Sequence, residues 1–117
     1  MGLNVATPLF LVRHGQTDWN VGKRFQGQTN IPLNAMGRAQ AVSNGRLLRT
    51  FMAQRGYDPR QLSVISSPLD RALETAKSVC KELGIKSDVE LDNRLREQFY
   101  GEWEGLVAEE IAVRFPC

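Results

Sequence analysis

The sequence predicts an α/β protein with a mostly parallel central sheet, and three observations carry that expectation. Leu9-Phe10-Leu11-Val12 is an unbroken apolar run, as in a strand covered on both faces in the middle of a parallel sheet. Two further strand-like stretches, Leu62 to Ser66 and Val89 to Leu91, alternate with segments of helical spacing. The first run ends abruptly in Arg13, His14 and Gly15, at the C-terminal edge where open α/β sheets bind ligands.

Between Gln16 and Leu33 there is neither helical nor alternating period, and Gly22, Gly27 and Pro32 interrupt the segment, so a long loop is expected. Such loops in compact domains are usually functional. Asn34 can cap a helix from about Ala35 to Arg55, closed by Gly56. Ala39, Val42, Leu47, Leu48 and Phe51 give it a ragged apolar stripe, and Gly37 and Gly45 argue against its continuity. After the Leu62–Ser66 strand, Ser67 suits an N-cap, Pro68 the first helical position, and Asp70 the positive end of the helix dipole. This helix is expected to bury Leu69, Ala72, Leu73, Ala76, Val79, Cys80 and Leu83 and to stop at Gly84. Arg71 breaks its pattern, lying off the apolar stripe with a cation in the first turn. Either Asp70 offsets a solvated side chain, or Arg71 reaches over the sheet edge to converge with Arg13 on one phosphoryl group. From Arg94 the chain is charged and aromatic as far as Trp103, which is expected in the core. An amphipathic segment with Val107, Ile111 and Phe115 follows.

At 117 residues, 42% apolar and 24% charged, the chain is expected to be a single soluble domain with no membrane span. Met1-Gly2 begins neither a signal peptide nor a myristoylation motif, which points to the cytoplasm. A net charge of +2 gives no ground for nucleic-acid binding. Cys80 and Cys117 form neither a disulfide framework nor a metal site. Without metal-ligand spacing or a phosphate loop of the GxxxxGK type, no metal, nucleotide or other cofactor is expected.

His14 is the only histidine in the chain. A fixed cation beside it, Arg13, disfavours imidazolium, and a neutral ring is a nucleophile. Arg13 offers a planar fork of donors suited to phosphate or carboxylate. Together they suggest attack on phosphorus through a phosphohistidine; the plainer alternative is a histidine hydrogen-bonded at a strand end beside a solvated arginine.

A series of ordered motifs then bears on that choice. Leu11-Val12-Arg13-His14-Gly15-Gln16-Thr17-Asp18-Trp19-Asn20 is followed by Arg24-Phe25-Gln26-Gly27 and by Pro32 to Ala41. Ser66 to Ala76 and Arg96 to Gly105 complete the set. This series resembles the histidine phosphatase superfamily, the family of phosphoglycerate mutase and its phosphatase relatives. The resemblance implies a three-layer α/β/α fold with a mostly parallel sheet. It implies that His14 is the phosphorylated nucleophile, that Arg13 and Arg71 bind the transferring phosphoryl, and that Glu97 protonates the leaving alcohol. Asn20, Gln26 and Gly27 match positions that bind phosphate or substrate, Thr17 adds a hydroxyl, and Tyr100 matches a substrate contact. Ordinary loop roles for Thr17 and Gln26, a surface carboxylate at Glu97 and a packing role for Tyr100 remain open on the residues alone.

The family carries a second histidine well downstream, and this chain has none besides His14. Residues 1–117 are therefore expected to be a partial domain, with the C-terminal part missing. A sheet without its later strands would expose an edge that favours self-association as a homo-oligomer, and turnover would be weak. The expected function is hydrolysis or transfer of phosphate on small phosphorylated metabolites. The Gly15–Asn20 loop with Phe25-Gln26-Gly27-Gln28 favours a phosphatase over a mutase, that is, over an isomerase. The alternative is a catalytically impaired fragment that binds phosphate or a partner chain.

Overall fold

Two helices carry the body of the protein, whose computed structural model describes residues 8–116; the readings of Met1-Gly2 and Cys117 lie outside them. α1 (Asp18–Val21) is a single turn, and α2 (Ala35–Arg55) and α3 (Asp70–Leu83) are the long helices. Asn34 caps α2 by accepting from the Gly37 N–H at 2.8 Å, and Gly56 closes it in the left-handed conformation. The helix runs unbroken through Gly37 and Gly45, against expectation. The reason is tertiary: a Cβ on Gly37 would strike the Gln16 backbone, and one on Gly45 would meet the Glu82 side chain and come within 3.2 Å of the Val79 Cα. Both glycines therefore permit backbone contact that a side chain would prevent.

The buried face of α2 is accordingly Gly37, Ala41, Gly45 and Met52, a row of mostly small residues near every fourth position. The expected stripe holds only in part: Val42 and Leu48 are partly buried, while Ala39 is exposed, Leu47 is 66% exposed and Phe51 is 38% exposed. Large apolar side chains there would hold the two helices apart. Ion pairs Arg38–Glu74 and Arg46–Glu82 bridge α2 and α3 along the exposed rim.

α3 begins two residues later than expected. Its N-cap is Leu69, which has no capping side chain; Ser67 instead accepts from the Leu69 N–H in a turn outside the helix. The Asp70 N–H is capped by a distant residue, Asn30, at 2.8 Å. Leu69, Val79, Cys80 and Leu83 are buried as expected, while Ala72, Leu73 and Ala76 are only partly so. The most closely packed positions on the face are Arg71 and Thr75, which continue the row to Val79 and Leu83 at four-residue spacing.

β1 (Ile65–Ser66) and β2 (Glu90–Leu91) pair in parallel, with Ile65 opposite Glu90 and Ser66 opposite Leu91. The sheet is parallel, as expected, but each strand is two residues long. Leu9–Val12 is not in a strand, and Leu9 and Leu11 are 81% and 88% exposed. Only one side of the run is engaged, where Phe10 packs edge-on against Phe51 and Tyr57 at 6.0 and 6.2 Å. A run apolar on both faces needs elements on both faces, and among the described residues only one side is supplied. Met52, Val79, Cys80, Leu83 and Ile85 form the core, with Phe10, Leu48, Leu62, Val64 and Val89 packed against it. Burial pushes the Cys80 thiol up, so it behaves as an apolar side chain.

The expected loop from Gln16 to Leu33 has more structure than its composition suggests. Thr17 caps α1, and Thr17 and Leu33 form an isolated antiparallel bridge at its ends. Near the C-terminus α4 (Ala108–Arg114) buries Ile111, and Glu110 accepts from the Val107 N–H at 3.1 Å. Among the described residues no helix is long and apolar enough to cross a membrane.

Candidate active site

The backbone around His14 is fixed from two sides. The Gly15 N–H donates to the Thr75 hydroxyl at 3.1 Å, and that hydroxyl donates to the Arg71 carbonyl at 2.7 Å. The Gln16 N–H donates to Gln40 Oε1 at 2.9 Å, and a Cβ on Gly15 would collide with the Gly37 carbonyl. The dipeptide after the histidine is thus wedged between α2 and α3. His14 is partly buried, with Nδ1 2.6 Å from the Gly15 carbonyl oxygen. A carbonyl can only accept, so Nδ1 carries a proton, and in the neutral ring the lone pair is then on Nε2. His14 lines a cleft of about 580 Å³ together with Arg13, Gln16, Asn20, Gln40 and Asn44.

Thr75 was not singled out by its sequence context. Its signal was its place four residues after Arg71 on one helical face. Thr75→Val keeps the shape and strands the Gly15 N–H, which should cost about 1–3 kcal/mol in urea denaturation. It should also speed hydrogen exchange at Gly15. An unchanged midpoint would mean that Thr75 does not hold this turn.

A second cluster surrounds the loop from Gln26 to Thr29. Thr17 is fully buried and donates from Oγ1 to Gln26 Oε1 at 2.7 Å; it also accepts from the Asn20 N–H, while Asn20 Oδ1 accepts from the Thr17 N–H. Thr17, Asn20 and Gln26 are therefore one capping and loop-fixing unit. Arg71 is only 1% exposed, so it is not solvated. Its guanidinium donates to the carbonyls of Thr29 and Gly27 and to Glu97 Oε2 at 3.1 Å. Glu97 itself is exposed, and the Gln28 side chain donates to its carbonyl. The Tyr100 ring packs edge-on against Phe25 at 5.2 Å. Trp103 packs on the same ring but is 41% exposed, so it is not a core residue.

On the far side of that loop Glu104 accepts from the N–H groups of Gln28, Thr29 and Tyr100 and from the Thr29 hydroxyl. Burial pushes its carboxyl up, but these hydrogen bonds outweigh that and hold it below its ordinary value. Nothing in the local string Glu102-Trp103-Glu104 distinguishes it from its neighbour.

The geometry thus gathers the expected residues into two groups. Arg13, His14 and Asn20 share the cleft. Arg71, Gly27 and Glu97 are joined to one another beside it, and neither Arg71 nor Glu97 lines the cleft.

Comparison with known proteins places these features in a family. The family model described as the histidine phosphatase superfamily (branch 1) matches residues 9–117. An uncharacterised phosphatase of Bacillus subtilis, PhoE, is 40% identical over 110 residues, covering 94% of this chain and 52% of that protein. Glucosyl-3-phosphoglycerate phosphatase of Mycobacterium tuberculosis is 40% identical over 112 residues, covering 95% and 45%. A solved structure of the mycobacterial glucosyl-3-phosphoglycerate phosphatase with VO3 superimposes with a TM-score of 0.74 at 39% identity, over 88% of this chain and 44% of that one. A phosphoserine phosphatase of Entamoeba histolytica in complex with 3-phosphoglyceric acid gives a TM-score of 0.62 at 30% identity, over 84% and 43%. The chain spans about half the length of the curated relatives it matches. Its helices and small parallel sheet correspond to part of a phosphoglycerate mutase-like phosphatase fold, and the chain belongs to the histidine phosphatase superfamily.

Proposed function

We propose that this chain supplies the nucleophile side of a phosphomonoesterase site acting on small phosphorylated metabolites, a phosphatase rather than a mutase. The observation that carries the reading is the Nδ1 hydrogen bond of His14 to the Gly15 carbonyl, which leaves Nε2 as the ring nitrogen able to attack. In the first step Nε2 forms a bond to phosphorus, and the ester P–O bond breaks. The leaving alkoxide takes a proton from Glu97. Water then attacks the phosphohistidine and gives its proton to the Glu97 carboxylate; the N–P bond breaks, releasing orthophosphate and restoring both the neutral ring and the protonated acid. Arg13 and Arg71 hold the equatorial oxygens through both steps. Arg71 gives donors to Gly27, Thr29 and Glu97, and of these three acceptors the exposed Glu97 carboxylate is the one a phosphoryl group can displace. The phosphatase names of the relatives support hydrolysis as the outcome.

The decisive experiment is to mix the folded chain with an excess of aryl phosphate, quench in alkali and map the modified peptide. Acid-labile, alkali-stable phosphate on the peptide containing His14 is expected. Folded protein that acquires no such label would refute the covalent mechanism. A second reading, phosphate binding without turnover, is favoured by the separation of the His14 cleft from the Arg71–Glu97 pair. It requires saturable orthophosphate binding in a sample that forms no phosphohistidine.

A further inference from the structure

The loop from Gly27 to Thr29 is held from opposite sides by opposite charges. Its carbonyls at Gly27 and Thr29 face the Arg71 guanidinium, and its N–H groups at Gln28 and Thr29 face the Glu104 carboxylate. Each Glu104 oxygen takes two donors. Oε1 receives the N–H and hydroxyl of Thr29, while Oε2 receives the N–H of Gln28 at 3.3 Å and that of Tyr100 at 3.0 Å. The same carboxylate therefore joins the loop to the segment that carries Glu97 and Tyr100. Gly27 sits at φ +52° directly against it, where any Cβ would strike the carboxylate. Backbone pairing extends the junction: Phe25 donates to the Leu106 carbonyl, and Gly105 donates to that of Phe25.

We propose that Glu104 is a positioning residue, an ionised clamp that sets the loop presenting Gln26 and Gly27 relative to Glu97 and Tyr100, and that releases it on protonation. A carboxylate is suited to this because all four groups aimed at it are donors, and only the ionised form accepts from all of them without offering a proton of its own. The inference rests on the functional reading above only for its consequence, phosphate binding; the clamp stands on the hydrogen bonds alone.

The direction with pH follows from the carboxyl being held below its ordinary 4.5 in the folded chain. The stabilisation is present above the unfolded value and is lost as pH falls through the lower folded value. The other titratable or charged groups on the packed elements are Arg71 and Glu97 across the loop, Tyr100 and Glu102 in the same segment, and Arg24, which donates to the Gly105 carbonyl and pairs with Glu110. Of the carboxyls in this group, Glu104 alone is bonded to the loop N–H groups.

The test is NMR on the full chain between about pH 3 and pH 7. It follows the Glu104 side-chain carboxyl, the amides of Gln28, Thr29 and Tyr100, and their exchange rates, with and without orthophosphate. The carboxyl should titrate below 4.5, and the three amides should lose protection with the same midpoint. Glu104→Gln should raise their exchange about tenfold at neutral pH, remove that pH dependence, and weaken orthophosphate about tenfold. Should Glu104→Gln fail to fold, Thr29→Val removes only the hydroxyl donor and should move the carboxyl midpoint up towards 4.5. A wild-type midpoint at or above 4.5, or amides indifferent to Glu104→Gln, overturns the clamp. Lost amide protection with unchanged orthophosphate affinity overturns the positioning role. Absence of orthophosphate binding by the wild type would instead sink the functional reading, and the amide and carboxyl titrations then decide the clamp by themselves.

Discussion

His14→Asn is expected to abolish phosphoryl transfer while leaving the fold in place. The Asn amide nitrogen can take over the donation that Nδ1 makes to the Gly15 carbonyl, so the turn wedged between α2 and α3 keeps its hydrogen bond. The substituted side chain has no nucleophilic nitrogen. Aryl phosphate turnover should therefore fall on the order of 10⁴-fold or more, to the buffer rate, because removing a covalent nucleophile removes the step itself. The denaturation midpoint should correspond to a change of less than about 1 kcal/mol. The two measurements separate chemistry from folding. Residual turnover above a tenth of wild type in a folded variant would mean that another group attacks phosphorus, and the role of His14 would be lost.

Local signals in the sequence identified the helices and misjudged the surfaces between them. Asn34 and Gly56 mark the ends of α2, and Gly84 marks the end of α3, because caps act through their own backbone neighbours. The buried face of α2 was hidden for a tertiary reason. Gly37 and Gly45 look like helix breakers until the Gln16 backbone and α3 are brought against them, and then the space leaves no room for a Cβ. Leu9–Val12 carries the composition of a central strand, yet composition cannot say which neighbours will cover it; Leu9 and Leu11 face solvent among the described residues. At the site, the motif string pointed to His14, Arg13 and Asn20, which share a cleft, and to Arg71 and Glu97, which share an ion pair. What no string could show is the buttressing: Thr75 holding Gly15 from 60 residues away and Glu104 holding Thr29 from 75. Such contacts depend on where two distant backbones end up: the place of Thr75 four residues after Arg71 marks its helical face but not its partner, and Glu104 carries no local mark at all.

Arg71→Met should be strongly destabilising. Arg71 is 1% exposed and places its guanidinium between two loop carbonyls and a carboxylate. Methionine matches much of the aliphatic stem but offers no donor, so the Gly27 and Thr29 carbonyls lose a charged partner. Unsatisfied buried acceptors cost roughly 1–3 kcal/mol each. Glu97 adds little to the loss, because its side chain is 42% exposed and can be rehydrated. The sum is about 2–6 kcal/mol, enough to lower the melting temperature by about 10 °C or more in a domain of this size. Arg71→Lys should lose less, since an ammonium can reach one carbonyl or Glu97 but cannot span all three acceptors as the planar fork does. The contrast also tests what the arginine is for. If holding the loop is its whole task, orthophosphate affinity in Arg71→Lys will fall only as far as loop order falls, read from the Gln28 and Thr29 amides. If it also binds the phosphoryl group, affinity will fall further than the amides report. A methionine variant less than about 1 kcal/mol below wild type would show that the two carbonyls find water, and that this arginine does not hold the loop.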